Sequence, residues 1–234
     1  VRVVPDYFNI ALFRATVEEL GGMPLINLRA PALNEYQRFA KRSFDLIITI
    51  LTMFPALPVM AVLALIIKLD SRGPGIFRQQ RVGENGNLFW MFKFRTMIDD
   101  ADIQLNQIVQ RQTDGEILFK RRDDPRITHL GRFLRRTSLD ELPQLINVLR
   151  GEMSLVGPRP ELPWLVERYK PWQRKRFAVP QGMTGWWQVN GRSDRPMHLN
   201  TEDDLYYIQN YSLLLDIQIL WKTIWAVVRR RGAF

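Results

Sequence analysis

From Leu46 to Ile67 no charged side chain interrupts a strongly apolar run of 22 residues. A straight helix of that length measures about 33 Å, enough to cross the hydrocarbon core of a bilayer. Pro55 and Pro58 stand in the middle of the run, where each removes a helical hydrogen bond and favours a kink. Arg38, Lys41 and Arg42 precede it and Lys68 and Arg72 follow it. Because lysine and arginine favour the cytoplasmic side of a membrane, both ends satisfy that preference equally. The pattern predicts a kinked, re-entrant helix over 36–72 that enters and leaves through one leaflet. A single-span anchor is the simpler alternative, and it puts one basic end on the wrong side.

Before this run, Val1 to Asp6 reads as a short strand, Asn9 to Leu20 as an amphipathic helix stopped by Gly21 and Gly22, and Pro24 to Leu28 as a second strand. Two short strands and a helix bury no core alone. Residues 1–35 are therefore expected to be a remnant of a preceding α/β domain with its linker, in keeping with the start at Val1. After the run the chain is soluble in character but twice mixes aromatic with basic residues. Trp164, Leu165, Tyr169, Trp172 and Phe177 are interleaved with Arg168, Lys170, Arg174, Lys175 and Arg176. Ile217, Leu220, Trp221, Ile224, Trp225 and Val228 then recur at helical spacing ahead of Arg229, Arg230 and Arg231. Such segments suit a bilayer interface, where rings sit among headgroups and cations meet anionic lipid; a core-facing stripe with a solvated back gives the same pattern. The expected fold class is α+β, mostly helical: the re-entrant helix, then a small cytoplasmic domain over 73–234 with interfacial helices and a short hairpin.

Charge narrows the partners without choosing one. Thirty-three Lys and Arg against 24 Asp and Glu leave a net +9 and an isoelectric point near 10.2, which calls for nucleic acid, an acidic membrane surface or a phosphorylated small molecule. With no cysteine there is no disulfide framework, thiolate nucleophile or cysteine-ligated zinc. The two histidines, His129 and His198, lie far apart and offer little to a metal cluster or a catalytic triad. A basic nucleic-acid-binding protein fits the charge, but the apolar run argues against it.

Chemistry concentrates in four places. The stretch FRQQRVGENGNLFWMFKFRTM, Phe77 to Met97, reads as a hairpin punctuated by Gly83 and Gly86, and alternation puts Lys93 and Arg95 on one face. Paired cations there suit a diphosphate, or are simply solvated. Asp140 and Glu141 are adjacent carboxylates able to share a divalent cation, with Arg132, Arg135 and Arg136 nearby to neutralise a phosphate. Ser138 and Glu141 also have capping-box spacing. Pro143 disturbs a helix starting at Ser138, so an irregular turn is the other expectation. In VGPRPELP the flanking prolines restrict the backbone around Arg159 and hold its guanidinium in a form suited to phosphate or carboxylate, or make only a rigid surface turn. In GMTGWWQVNGRS, Gly182, Gly185 and Gly191 surround Thr184, Gln188 and Arg192 and allow close backbone approach to a ligand.

Taken together and in this order, the apolar segment, FRQQRVG, KFRTM, SLDELPQ, LVGPRP, GMTGWWQVNGR and NYSLLLDIQIL resemble the bacterial sugar transferases, the monotopic phosphoglycosyl transferases, over about Tyr36 to Val228. The resemblance implies that 73–234 is a catalytic domain on the cytoplasmic face of a bacterial inner membrane. It implies that Asp140 attacks the sugar-attached phosphate of a UDP-sugar, with Glu141 as its partner and Mg²⁺ as the cation. UMP leaves first, and the phosphosugar passes to undecaprenyl phosphate as a first membrane step in polysaccharide or glycoconjugate synthesis. Arg135 and Arg159 are the leading phosphate-binding residues, followed by Lys93, Arg95 and Arg192. A membrane-tethered scaffold in which the dyad only caps a helix is the rival reading. Many members carry a small residue, often serine, before the proline that breaks the membrane helix; here Leu57 precedes Pro58, and Pro55 is extra. The pattern leaves room for a homodimer and does not name the sugar, glucose and galactose leading over an acetamido sugar.

Overall fold

The computed structural model describes residues 16–20, 23–27, 32–71, 73–98, 110–111, 117–118, 124–191 and 201–229. Near the start, β1 (Thr16–Leu20) and β2 (Met23–Asn27) form an antiparallel hairpin in which Leu20 pairs with Met23. The second strand falls where the sequence places it. The helix expected over Asn9–Leu20 is instead a strand from Thr16 onward, since β-branched Thr16 and Val17 favour extended backbone and pairing with Met23–Asn27 satisfies both segments. Residues 9–15 and the strand expected over 1–6 lie outside the described residues.

The apolar run belongs to one long helix, α1 (Glu35–Asp70). Asn34 starts it with a reciprocal cap: its side chain accepts from Gln37 N–H at 2.7 Å, while the Gln37 side chain accepts from Asn34 N–H at 3.0 Å. Helical structure continues through Pro55 and Pro58. A single stripe (Lys41, Asp45, Thr49, Met53, Ala56, Met60, Leu63, Ile67), stepping by three or four residues, is buried. The remaining face is as apolar and is exposed, including Ile47, Ile50, Leu51, Leu57 and Leu65, with Phe54 at 84% exposure. An apolar surface of that extent asks for an apolar environment.

Beyond α1 come the hairpin β3 (Ile76–Val82) and β4 (Leu88–Phe94), paired Ile76 to Phe94 through Val82 to Leu88, and a short ladder of β5 (Gln110–Arg111) with β6 (Ile117–Leu118). Then follow α2 (His129–Thr137), a 3₁₀ turn over Leu139–Glu141 and α3 (Gln144–Arg150). Strand β7 (Ser154–Val156) pairs in parallel with β8 (Gly182–Thr184), and between them lie α4 (Pro163–Val166) and a 3₁₀ turn over Gln173–Ala178. Helices α5 (Trp186–Gly191), α6 (Thr201–Gln209) and α7 (Leu213–Val228) complete the described chain. The fold is thus a mostly helical α+β one, with one long apolar helix and small two-stranded sheets.

One core joins the buried stripe of α1 to Phe89, Met91 and Phe94 of β4, Leu145 and Val148 of α3, and Leu215 and Ile219 of α7. Both ends of α1 are tied to the β3–β4 hairpin. Arg38 pairs with Glu84 at the hairpin turn at 2.7 Å, and Arg95, just past β4, donates to Ser71 O and Oγ at 2.7 and 2.8 Å. The two aromatic–basic segments part company. In α7 four members of the stripe face outward, Trp221 being 62% exposed beside Ile217, Ile224 and Trp225, while Leu220 packs against the core. In the earlier segment, Leu165, Tyr169 and Phe177 turn inward and Arg176 is fully buried. The interfacial expectation for that stretch is corrected: Tyr169 and Phe177 pack with Val82 in a second small core, and Arg176 finds a carboxylate inside.

Candidate active site

The turn between α2 and α3 carries both carboxylates. Ser138 adopts a left-handed conformation (φ 55°, ψ 18°), rare for a residue with a side chain, and makes no side-chain cap bond. The capping-box reading fails on that geometry, and the irregular turn anticipated from Pro143 is what forms. Pro143 stands at the entry to α3, where a missing N–H costs nothing.

Glu141 is held by two cations. Its Oε1 accepts from Lys93 Nζ at 3.1 Å and from Arg159 Nη2 at 3.0 Å. Lys93 reaches it because alternation puts residue 93 on the same side of β4 as buried Phe89 and Met91. Arg159 reaches it from the loop after β7. No hydrogen bond or ion pair to the Asp140 carboxylate is made by a described residue, yet Asp140 is partly buried beside this charge. Burial first, then the adjacent Glu141, pushes Asp140 above the usual carboxylate range, while Lys93, Arg135 and Arg159 pull it back. Burial likewise lowers Lys93, with Glu141 opposing.

Arg135 donates from Nε to Thr96 Oγ1 at 2.9 Å, which anchors α2 on the segment after β4 and leaves the guanidinium within electrostatic range of Asp140. Gly131 makes that packing close: a Cβ there would lie 2.0 Å from Thr96 O. Arg95 bonds the end of α1 through Ser71. Pro55 and Pro58 lie within α1. Arg192 lies outside the described residues.

The glycines of GMTGWW do permit a close backbone approach. A Cβ on Gly182 would sit 2.1 Å from Gly157 N, and one on Gly185 would sit 2.2 Å from Gly157 O. What comes close at these two positions is the backbone of the GPRP loop, which is thereby locked next to β8. Two contributors escaped the sequence reading. Asn147, fully buried, accepts from Phe92 N–H at 3.0 Å and donates to Trp90 O at 2.7 Å, fastening α3 beneath β4 so that Lys93 and Glu141 meet. Arg81, held down to about 10 by burial with Glu161 opposing, flanks the GPRP loop. Asn147 carries no motif signal; Arg81 was visible in FRQQRVG only as one cation among several.

A strand lysine, a loop arginine and an acidic turn, arranged so that one carboxylate is neutralised and its neighbour left open, can bind an anionic ester and attack it. Residues 36–230 match the family model described as Bacterial sugar transferase. The chain belongs to that family. It is 39% identical over 240 residues to the undecaprenyl-phosphate galactose phosphotransferase of Salmonella typhimurium, covering all of this chain and 50% of that protein. It is 41% identical over 249 residues to the undecaprenyl-phosphate glucose phosphotransferase of Komagataeibacter xylinus, covering all of this chain and 44% of that one. It is 39% identical over 199 residues to the exopolysaccharide production protein ExoY of Sinorhizobium fredii, covering 83% of this chain and 88% of that protein. The chain thus spans about half the length of the first two.

Proposed function

We propose that this chain is the catalytic part of an undecaprenyl-phosphate hexose-1-phosphate transferase acting in polysaccharide synthesis. The observation that carries the reading is the asymmetric dyad, in which Glu141 is paired with Lys93 and Arg159 while Asp140 has no described partner at contact. Asp140 Oδ attacks the sugar-bearing phosphorus of a UDP-hexose. The bond from that phosphorus to the bridging oxygen breaks and UMP leaves with the electron pair. The lipid phosphate oxygen then attacks the same phosphorus, freeing Asp140 and giving the lipid diphosphate-sugar, a two-step covalent course. Lys93, Arg135 and Arg159 offset the repulsion between an anionic nucleophile and an anionic diphosphate.

The residues present suit Mg²⁺. Two adjacent carboxylates, one of them raised by burial and then by the other's charge, match an ion that takes one or two protein carboxylates and completes its shell with water and substrate phosphates. Among the described residues no group of three or more His, Cys, Asp or Glu gathers into a closed site. When bound by Asp140 and Glu141, the ion supplies Lewis-acid neutralisation of diphosphate charge.

The same reading seats α1 in the cytoplasmic leaflet of the bacterial inner membrane as a re-entrant helix whose turn falls in the region of Pro55 and Pro58, with helical structure continuing through both, and α7 at the interface. In support, Arg38 and Ser71, at opposite ends of α1, bond to the two ends of the β3–β4 hairpin, the arrangement expected of a helix whose two ends lie on one side of the bilayer. The names of the relatives cover both glucose and galactose, and the test includes both. UMP release from UDP-glucose, UDP-galactose and UDP-acetamido sugars is measured with solubilised protein, with and without undecaprenyl phosphate and Mg²⁺. Lipid-dependent UMP formation and a radiolabelled phosphosugar trapped on the wild type are expected. Turnover without any trapped adduct would mean that the lipid phosphate attacks directly.

A further inference from the structure

The segment that presents Arg159 is gripped at four consecutive carbonyls. Pro158 O accepts from Gly182 N–H and Glu161 O from Val82 N–H, each at 2.8 Å. Between them, Arg159 O accepts from Arg176 Nη2 at 2.9 Å and Pro160 O from Arg81 Nη1 at a longer 3.4 Å. Pro158 and Pro160 have no N–H, so this stretch cannot enter an ordinary ladder. It is fixed from its acceptor side, and two of its four donors are guanidinium groups from distant parts of the chain.

Those two guanidiniums are joined around the loop. Arg81 lies 3.6 Å from Glu161 Oε1, Glu161 Oε2 accepts from Tyr169 OH at 3.2 Å, and Tyr169 OH accepts from Arg176 Nη1 at 2.9 Å. Arg176 also pairs with Asp204 of α6 at 2.7 Å. Arg176, Glu161 and Asp204 are all buried. A buried ion network is a poor source of stability, because apolar residues of like volume often do as well; what it supplies is one defined geometry. The geometry supplied here is that of the backbone from which Arg159 reaches Glu141.

We infer that Arg176, with Asp204, Tyr169 and Arg81, is a positioning residue for Arg159, setting where that guanidinium meets the diphosphate of the donor substrate. The inference rests on Arg159 serving as a diphosphate-binding group. The test uses the whole chain with Arg176→Met and Asp204→Asn combined, so that no carboxylate is left buried alone. One arm follows hydrogen exchange at the amides of Val82 and Gly182, which donate to the loop. Faster exchange there, with the amides of α1 and α3 unchanged, is expected; unchanged exchange, or a uniform increase, overturns the inference. The second arm measures kcat/KM for the UDP-sugar in the wild-type and Arg159→Ala backgrounds. A fall of about 10²-fold in the first and less than about twofold in the second is expected, whereas equal losses in both overturn it. If the wild type turns over no UDP-sugar, the transferase reading fails while the exchange arm still decides whether Arg176 holds the loop.

Discussion

The molecule contains two kinds of charge cluster built from the same residue types. In the interior, Lys41 donates to Asp216 Oδ2 at 2.8 Å and to Val156 O at 2.9 Å, while Tyr207 OH donates to Asp216 Oδ1 at 2.7 Å. Lys41, Asp216 and Tyr207 are each at most 2% exposed. The network ties the start of α1 to α7 and β7. At the acidic turn, by contrast, the two cations bond to Glu141, and Asp140 makes no hydrogen bond or ion pair with a described residue. A cluster that serves the fold satisfies its own members; one that serves chemistry leaves a member unsatisfied and accepts the cost.

The contrast is broken most directly at its two centres. Asp140→Asn is expected to lower UMP release at least about 10³-fold. Because burial and Glu141 disfavour the ionised Asp140 carboxyl in the fold, the same change should leave the melting temperature unchanged or raised. Lys41→Met should do the reverse. It leaves Asp216 buried without its cation, which costs about 3–5 kcal/mol, visible as a large drop in melting temperature, with kcat per folded molecule kept. A Lys41 variant that melts normally yet is inactive would merge the two clusters into one site.

Acid titration sharpens the comparison within the interior. Burial raises Asp204 to about 6, with Arg176 opposing and Asp203 and Glu161 adding to the rise. A carboxyl raised in the fold binds its proton more tightly when folded than when unfolded, so stability falls as pH rises from its unfolded value near 4 to about 6. The change for this group is about 3 kcal/mol across that window. Unfolding free energies from denaturant titrations between pH 4 and 7 should therefore fall by that amount more in the wild type than in Asp204→Asn; parallel slopes in the two proteins contradict the assignment.

How far the sequence could be read follows from the same division. Charge-bearing residues in short, rigid motifs announced themselves: Asp140 and Glu141 beside Pro143, Arg159 between two prolines, Lys93 on an alternating strand. The apolar run of α1 was equally plain. What stayed hidden depends on long-range packing. Arg176 and Tyr169 looked like an interfacial mixture because nothing local reveals that Asp204, far along the chain, supplies the buried partner. The first hairpin was misread because TVEEL fits a helix or a strand until its partner is known. The glycines around Thr184 were read correctly as permitting close approach, but only the fold shows that the approaching group is the loop at Gly157.

The smallest test addresses whether the interior cluster is closed by geometry or by charge alone. Tyr207 OH lies 3.2 Å from Val156 O as well as 2.7 Å from Asp216, so removing it deletes a neutral donor while Lys41 remains on both acceptors. Tyr207→Phe keeps the ring that packs edge-on against Tyr211. The loss is then one hydrogen bond to a charged group that retains another partner, about 1 kcal/mol, or roughly 2–4 °C in a chain of this size. Kinetics should not change, since Tyr207 contacts none of Lys93, Asp140, Glu141 and Arg159 in the described hydrogen bonds and ion pairs. A much larger drop in melting temperature would show that the tyrosine, and not the lysine, sets where Asp216 sits, and the interior cluster would then be a geometric lock that happens to carry charge.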